Sequence, residues 1–495
     1  MKDEDEKKRA AMLSEHLERK KNCVLILDDV WDHLDLEEVG IHVRAHGFKL
    51  VLTTRSFDVC CQMHCQEKIK IEPLSQIEAE SLFLEELGSK VPLNSETKAI
   101  VKSIVEECAG LPIGVITMAR SMRGVTDVFE WRDSLVKLKE SSMGQTDMEK
   151  KVLMNLKFSY DCLDNPNVQQ CFLSCALYPE DQLIDKFELV EFFIDQGLVG
   201  GLNTRREQYD RGLTILNKLR NVCLLEDHGS KMKMHDLIRD MALHIMSATS
   251  IVKAGKWLGS IPSEEYWTDA LEKVSLIGNK INEISLNMSP NCPKLSTLLL
   301  NGSWLKDVVI PDSFFKQLCG LKVLNLSECE ITELPNSISD LVNLRALLLE
   351  RCSKLCHIPY LGKLTSLRKL NVGGCCNLDK VPEGLEMLVN LRYLDLHLSS
   401  IVKLPERVLG GLVNLQHLKV KFLDGQDMTN LRALETLECF FEDMNDFNKC
   451  TRVIEQSNPR CYYYLRTNQT DYFEEVRIKN KVCMKNKVIL LHLRI

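Results

Sequence analysis

The first chemistry visible in this chain is a pair of carboxylates at the end of an apolar run. Cys23-Val24-Leu25-Ile26-Leu27 runs without a polar residue and stops at Asp28-Asp29, followed by Val30-Trp31. A run this short predicts a central strand of a parallel sheet, buried on both faces. Ligands in such sheets lie beyond the carboxyl ends of the strands, where hard oxygen donors suit a phosphate-bound Mg²⁺. A second strand, predicted at Phe48-Lys49-Leu50-Val51-Leu52, ends in Thr53-Thr54-Arg55. Arg55 could reach a terminal phosphate with bidentate geometry. The competing readings are a solvated acidic pair and an ordinary loop arginine, and these residues alone leave both open. A third candidate, Cys60, Cys61, His64 and Cys65, has ligand types that suit zinc. All four fall within six residues, whereas zinc sites take paired ligands from separated elements; a packed helix face competes.

Several elements must position these groups. Residues 1–20 predict a charged helix with Met12, Leu13 and Leu17 as a thin apolar stripe, and a third short strand is predicted at Ile69-Lys70-Ile71. Strand, helical connection, strand is the rhythm of a doubly wound α/β sheet. From Pro73 to about residue 145 the pattern is helical. Ser75-Gln76-Ile77-Glu78 is a capping-box start, and Gly110-Leu111-Pro112 closes one helix and opens the next. Residues 150–250 are again mainly helical, and Lys233-Met234-His235-Asp236 opens a further amphipathic helix.

The second half is periodic. Leu-x-x-Leu-x-Leu units begin at Leu271, Leu295, Leu321, Leu344, Leu367, Leu391 and Leu415, at intervals of 24, 26, 23, 23, 24 and 24 residues. That period predicts a leucine-rich-repeat horseshoe with one concave strand per unit, the units stacking because none buries its own apolar face. After about residue 440 the register is expected to end. The last twenty residues carry six Lys or Arg and no Asp or Glu, which reads as a divergent, poorly ordered tail or a basic patch.

Composition narrows the class. Over 495 residues the net charge is −7, which excludes a generic nucleic-acid binder. The 20 cysteines include no Cys-x-x-Cys pair, so most are expected to be buried thiols in a reducing compartment. No apolar run has the length of a membrane span, and the charge-dense first twenty residues hold no secretory core. No nucleophile–base pair stands out, which argues against a dedicated enzyme.

Five motifs occur in one order. Val24–Trp31 resembles a Walker B motif, and Lys49–Arg55 resembles a strand ending in a sensor arginine. Gly110-Leu111-Pro112-Ile113 resembles a Gly-Leu-Pro-Leu signature, Cys171–Asp181 resembles a winged-helix motif, and Met234-His235-Asp236 matches a Met-His-Asp motif. With the repeats that follow, the chain resembles plant intracellular immune receptors of the nucleotide-binding, leucine-rich-repeat type. Trp31 and the Cys171 motif look like their coiled-coil class.

The resemblance implies a multidomain α/β fold: a partial P-loop NTPase-like parallel sheet, helical and winged-helix domains, then the leucine-rich-repeat solenoid. The expected boundaries are 1–72, 73–147, 148–255 and 268–440, with a tail over 441–495. It implies ADP or ATP with Mg²⁺ as cofactor. Asp28 would hold the metal, Asp29 would activate the attacking water, and Arg55 would sense the terminal phosphate. Pro112 would pack near the adenine, and His235 would contact the β-phosphate of ADP. The implied partners are a pathogen effector or guarded host protein on the repeats and a second copy of the chain on activation, in the cytoplasm, nucleus or at the inner plasma membrane.

No Gly-x-x-x-x-Gly-Lys-Ser/Thr occurs. The family's phosphate loop and N-terminal domain would lie upstream of residue 1, and its first strand would sit between those at 48–52 and 69–71. The chain is therefore expected to be an N-terminally truncated receptor with at most weak ATPase activity. The alternative is a nucleotide-independent adaptor or decoy acting through the repeats.

Overall fold

The computed structural model describes residues 2–20, 23–28, 30, 32–42, 48–54, 56–88, 94–142, 156–163, 165–303, 308–423, 431–441, 462–467, 474–478, 481–485 and 489–491. They form two compact units, Met1–Pro73 and Leu74–Ile495.

In the first unit, helix α1 (Lys2–Glu18) precedes strands β1 (Cys23–Leu27) and β2 (Phe48–Leu52), and α2 (Phe57–Gln62) follows them. β1 and β2 pair parallel from Cys23↔Phe48 to Leu27↔Leu52. Gly40, at φ +84°, lets a turn press against Ala10 of α1, where any Cβ would meet the carbonyl oxygen. Two expectations fail here. β1 is not buried on both faces, since Val24 and Ile26 are 61% and 64% exposed; two strands have too few neighbours to cover both sides. Residues 69–71 form no strand, and Ile69 and Ile71 are exposed. Alternation of apolar and polar residues makes a strand only where a ladder partner exists, and among the described residues these have none. α2 buries Val59 rather than its thiols: Cys61 is exposed, and Cys60 and Cys65 are half-buried.

The second unit begins with four helices, α3 (Gln76–Leu87), α4 (Ser95–Glu107), α5 (Pro112–Ser121) and α6 (Val128–Ser142). Ser75 and Glu78 make the expected capping box on α3, and Pro112 opens α5. Their core is Phe83, Ile104, Met118, Trp131 and Leu138, all fully buried. A winged-helix arrangement follows: α7 (Pro166–Cys175), β3 (Ile184–Asp185), α8 (Lys186–Gln196), α9 (Arg205–Asn221), the hairpin β4 (Glu226–His228) and β5 (Lys231–Lys233), then α10 (Asp236–Met246). β3 and β4 flank β5 antiparallel.

The horseshoe sheet takes one strand per repeat: β6 (Ser250–Val252), β7 (Lys273–Ser275), β8 (Thr297–Leu299), β9 (Val323–Asn325), β10 (Ala346–Leu348), β11 (Lys369–Asn371), β12 (Tyr393–Asp395), β13 (His417–Phe422) and β14 (Thr436–Phe441). All pair parallel in chain order. Cysteines in the turns satisfy buried carbonyls of the repeat before: Cys352 Sγ donates to the Leu326 carbonyl at 3.0 Å and Cys375 Sγ to that of Leu349 at 3.1 Å. Asn279 and Ser303 do the same in earlier turns. This explains part of the cysteine content; of the sixteen cysteines whose side chains are described, none forms a disulfide and eight are buried.

The sheet also outruns the expected repeats at both ends. It starts at β6, which directly follows α10. Beyond residue 440 it gains β15 (Tyr462–Thr467), parallel to β14. β16 (Glu474–Ile478) and β17 (Lys481–Lys485) form a hairpin, and β18 (Ile489–Leu491) pairs antiparallel with β15. Of the described tail strands, β15 and β18 thus continue the sheet while β16 and β17 form one of their own; backbone pairing needs a free edge and not a leucine register.

Candidate functional site

Asp28 stands exposed at the carboxyl end of β1. The chain is pinned there by backbone bonds from Thr53 to Leu27 and from Val30 to Thr53, each 2.9 Å. The Thr53 hydroxyl donates to Asp28 Oδ1. A carboxylate held by β2 at a strand end is chemically suited to a hard cation. Asp29 and Arg55 lie outside the described residues, as does Trp31.

Pro112 and His235 belong to the second unit. Pro112 is exposed at the first position of α5. Its neighbours Leu111 and Ile113 pack against the winged-helix core, which contains Met234 and Ile238 on either side of His235. His235 is the N-cap of α10, and its Nδ1 accepts from the Leu237 amide at 3.2 Å. Because Nδ1 accepts, the neutral ring carries its proton on Nε2, the atom that can donate to a ligand. Beside it Asp236 Oδ1 is buried without a hydrogen-bond partner, and burial, with Asp181 and Glu180 nearby, raises its carboxyl above the usual range. The wing is tied in by Lys233 to Asp181 at 2.7 Å and by Arg239 donating to the Tyr178 carbonyl at 3.1 Å. The structure thus places Asp28 in one unit and the Pro112–His235 pair in the other. Among the described residues no cluster of His, Cys, Asp or Glu is arranged to hold a metal ion.

The most densely connected polar site was not foreseen: the winged-helix region docks on the concave strands. Lys369 on β11 reaches Glu191 at 2.6 Å and Asp195 at 3.0 Å, both on α8. Arg205 and Tyr209 on α9 close on the same Glu191. Burial opposes the Glu191 charge, yet Arg205 and Lys369 hold its carboxyl well below the ordinary range. Burial lifts Asp195 to about 6, partly offset by Lys369. Tyr393 stacks on His417 at 4.2 Å and lies beneath both Arg205 and Lys369. Glu435 accepts from the free amides of Arg205 and Arg206 at the start of α9. Lys273 donates to Gln170 at 2.8 Å and Ser275 to the Leu177 carbonyl at 2.6 Å. Ile277, Leu299, Val323 and Ala346 of the repeats join the winged-helix core. A cavity of about 940 Å³ remains between the two surfaces, lined among others by Tyr178, Glu188, Glu191, Asn325 and Lys419. A signal existed in the sequence: Lys369 occupies a concave-strand position that holds Val323 and Ala346 in the preceding repeats.

Comparison with known proteins supports the same organisation. Residues 1–91 match the NB-ARC domain, 177–242 the disease resistance protein winged helix domain, and 308–353 the leucine rich repeat. The chain is similar to three proteins of Arabidopsis thaliana. It is 38% identical to Probable disease resistance protein At4g27220 over 70% of this chain and 38% of that protein. It is 35% identical to Disease resistance protein At4g27190 over 84% of this chain and 43% of that one. Against Disease resistance protein RPS5 it is 34% identical over 82% of this chain and 46% of that one. The chain spans about half the length of the curated relatives it matches or less. No helix among the described residues is long and apolar enough to cross a membrane. Three domain types in a fixed order, on a chain whose winged helix is seated on its own repeats, make this a plant NB-ARC leucine-rich-repeat protein.

Proposed function

We propose that this chain is the switch and sensor portion of a plant immune receptor, in which an adenine nucleotide holds the winged helix in one position and the repeats recognise a pathogen effector or guarded host protein. The observation that carries the reading is His235: capping α10 through Nδ1 leaves Nε2–H to donate to a β-phosphate. Two described residues have chemistry that suits the group, the strand-end carboxylate of Asp28 and the free Nε2 of His235. The exposed Asp28 carboxylate would ligate Mg²⁺, Asp29 would orient a water, Arg55 would sense a terminal phosphate, and Pro112 would border the adenine. Mg²⁺ would neutralise the phosphate charge. ADP and ATP would be told apart by differential contact with His235 and Arg55, the condition for any ligand-driven switch. Similarity of Trp31 and the Cys171 motif to the coiled-coil class supports assigning the receptor to it, acting in the cytoplasm, nucleus or at the inner plasma membrane and assembling with further copies when activated.

In a second reading the chain would have at most weak ATPase activity and would serve as a nucleotide-independent adaptor or decoy acting through the repeats. The test is nucleotide content: the purified chain is denatured and the released adenine nucleotide identified. Stoichiometric ADP supports the switch; a folded, empty protein supports the adaptor.

A further inference from the structure

In four consecutive repeats the residue just before the concave strand is basic: Lys322, Arg345, Arg368 and Arg392. The flanking repeats carry Ser296 and Gln416 there. The strands that follow pair in register, Val323↔Ala346↔Lys369↔Tyr393, so the four cations form a column across the sheet, spaced about 4.8 Å apart along the ladder. Three of them, Arg345, Arg368 and Arg392, line a cavity of about 270 Å³ whose opposite wall is the glycine-rich loop after α8, with Gly197, Gly200 and Gly201.

The charges in this cavity do not balance. Its lining holds five cations, the three arginines with Arg205 and Lys369, against one carboxylate, Asp195. Arg205 and Lys369 are engaged by Glu191, and Lys369 also by Asp195. Arg345 spends one N–H on the Gln196 carbonyl at the end of α8, at 3.5 Å. Arg368 and Arg392 make no ion pair among the described residues. Glu435, the acidic group whose charge reaches Arg392, is occupied by the amides of α9. Burial, and then the neighbouring Arg368, weakens the hold of Arg345 and Arg392 on their protons. Three guanidiniums side by side without a counter-charge repel one another, and nothing in the repeat geometry requires a cation at that position.

We infer that this cavity binds a small phosphorylated molecule carrying at least two phosphate groups. A guanidinium fork matches phosphate oxygens bidentately. One phosphate monoester supplies about 1.5 to 2 negative charges, so two are needed to balance three arginines. The loop opposite is suited to close approach: a side chain at Gly201 would meet only open space, and Gly197 already brings its backbone against Arg345. The ligand would bridge the end of α8 to three repeats, joining the winged helix to the horseshoe.

The test uses the full chain, with pyrophosphate and inorganic phosphate as soluble probes and vesicles of phosphatidylcholine with or without phosphatidylinositol 4,5-bisphosphate. Pyrophosphate should raise the melting temperature and bind more tightly than phosphate. Arg368→Gln should weaken pyrophosphate about tenfold and the Arg368→Gln/Arg392→Gln double variant about a hundredfold, as loss of charge-assisted bonds implies. Without anion, Arg368→Gln should melt no lower than the parent, since it relieves repulsion. Vesicle binding that requires the bisphosphate and the arginines would assign the ligand to a lipid headgroup; pyrophosphate binding without it would assign a soluble phosphate. No effect of pyrophosphate on the parent, or an equal effect on the double variant, overturns the inference. So does loss of the effect in His235→Asn with its retention in the double variant, which would place binding on the nucleotide side.

Discussion

The ammonium of Lys369, on a concave strand of the repeats, lies 2.6 Å from the carboxylate of Glu191, 178 residues earlier on a winged-helix helix. The contact is almost closed to solvent and shared with Asp195, Arg205 and Tyr209. It is therefore a specification of how two domains meet and not a surface ornament. Buried pairs of this kind gain little over apolar replacements, but losing one partner strands the other.

Lys369→Met should accordingly destabilise the chain by about 3 kcal/mol. Glu191→Gln should also destabilise it. The double variant should recover part of the loss, with a coupling above about 1 kcal/mol. Chemical denaturation of the four proteins measures this, and strict additivity would show that the two side chains do not act as a pair.

The same cluster carries a pH signature. Asp195 is lifted to about 6, against about 3.9 in an unfolded chain. Between those values the folded state binds more protons than the unfolded one, so this group's contribution to stability is greatest below about pH 4 and falls as pH rises through about 6. Asp195→Asn cannot titrate. The parent should lose melting temperature relative to Asp195→Asn from pH 4 to 6, with the difference level above that; a difference independent of pH contradicts the assignment.

At His235 the cap and the proposed ligand contact can be separated. Asn is a good N-cap, so His235→Asn should melt close to the parent yet lose retained nucleotide. His235→Ala should lose nucleotide and also about 1 kcal/mol of stability. Equal retention of nucleotide by parent and Asn variant, read from released ADP, would remove the imidazole from the binding site.

Gly197 and Gly201 sit at nearly the same backbone angle, φ +80° and +79°, but differ in surroundings. A Cβ at Gly197 would fall 2.1 Å from Arg345 Nη1, and at Gly201 it meets nothing. Both alanine variants should cost about 1 kcal/mol from backbone strain. Gly197→Ala should cost more, because Arg345 must leave the end of α8. Equal melting temperatures for the two variants would rule out that close approach.

Sequence legibility followed the range of the interaction. The horseshoe strands were readable because Leu271 to Leu415 repeat at the period of the structure itself, and the capping box at Ser75 because its partners are three residues apart. The strand expected at Ile69–Ile71 failed because alternation records a preference for pairing and not the presence of a partner. The exposure of Val24 and Ile26 has the same origin: an apolar run states what a complete sheet would bury. The Tyr462–Thr467 strand was missed because edge pairing leaves no leucine signature. Acidic residues such as Glu191 and Asp195 usually lie on the solvated side of an amphipathic helix, and no local pattern points from α8 to Lys369. Of the residues expected to meet a nucleotide, Asp28, Pro112 and His235 lie on their expected elements, while Asp29 and Arg55 fall outside the described residues.

The junction between α10 and the horseshoe has a mechanical meaning. The helix capped by His235 runs about 16 Å from Asp236 to Met246, and four residues after its end the chain enters β6, already laddered to β7 from Ser250↔Lys273 to Val252↔Ser275. Helix and first rung thus form a lever welded to the solenoid. A pull on the imidazole would be carried along that helix and through the short connection after Met246 into the first rung of the repeats.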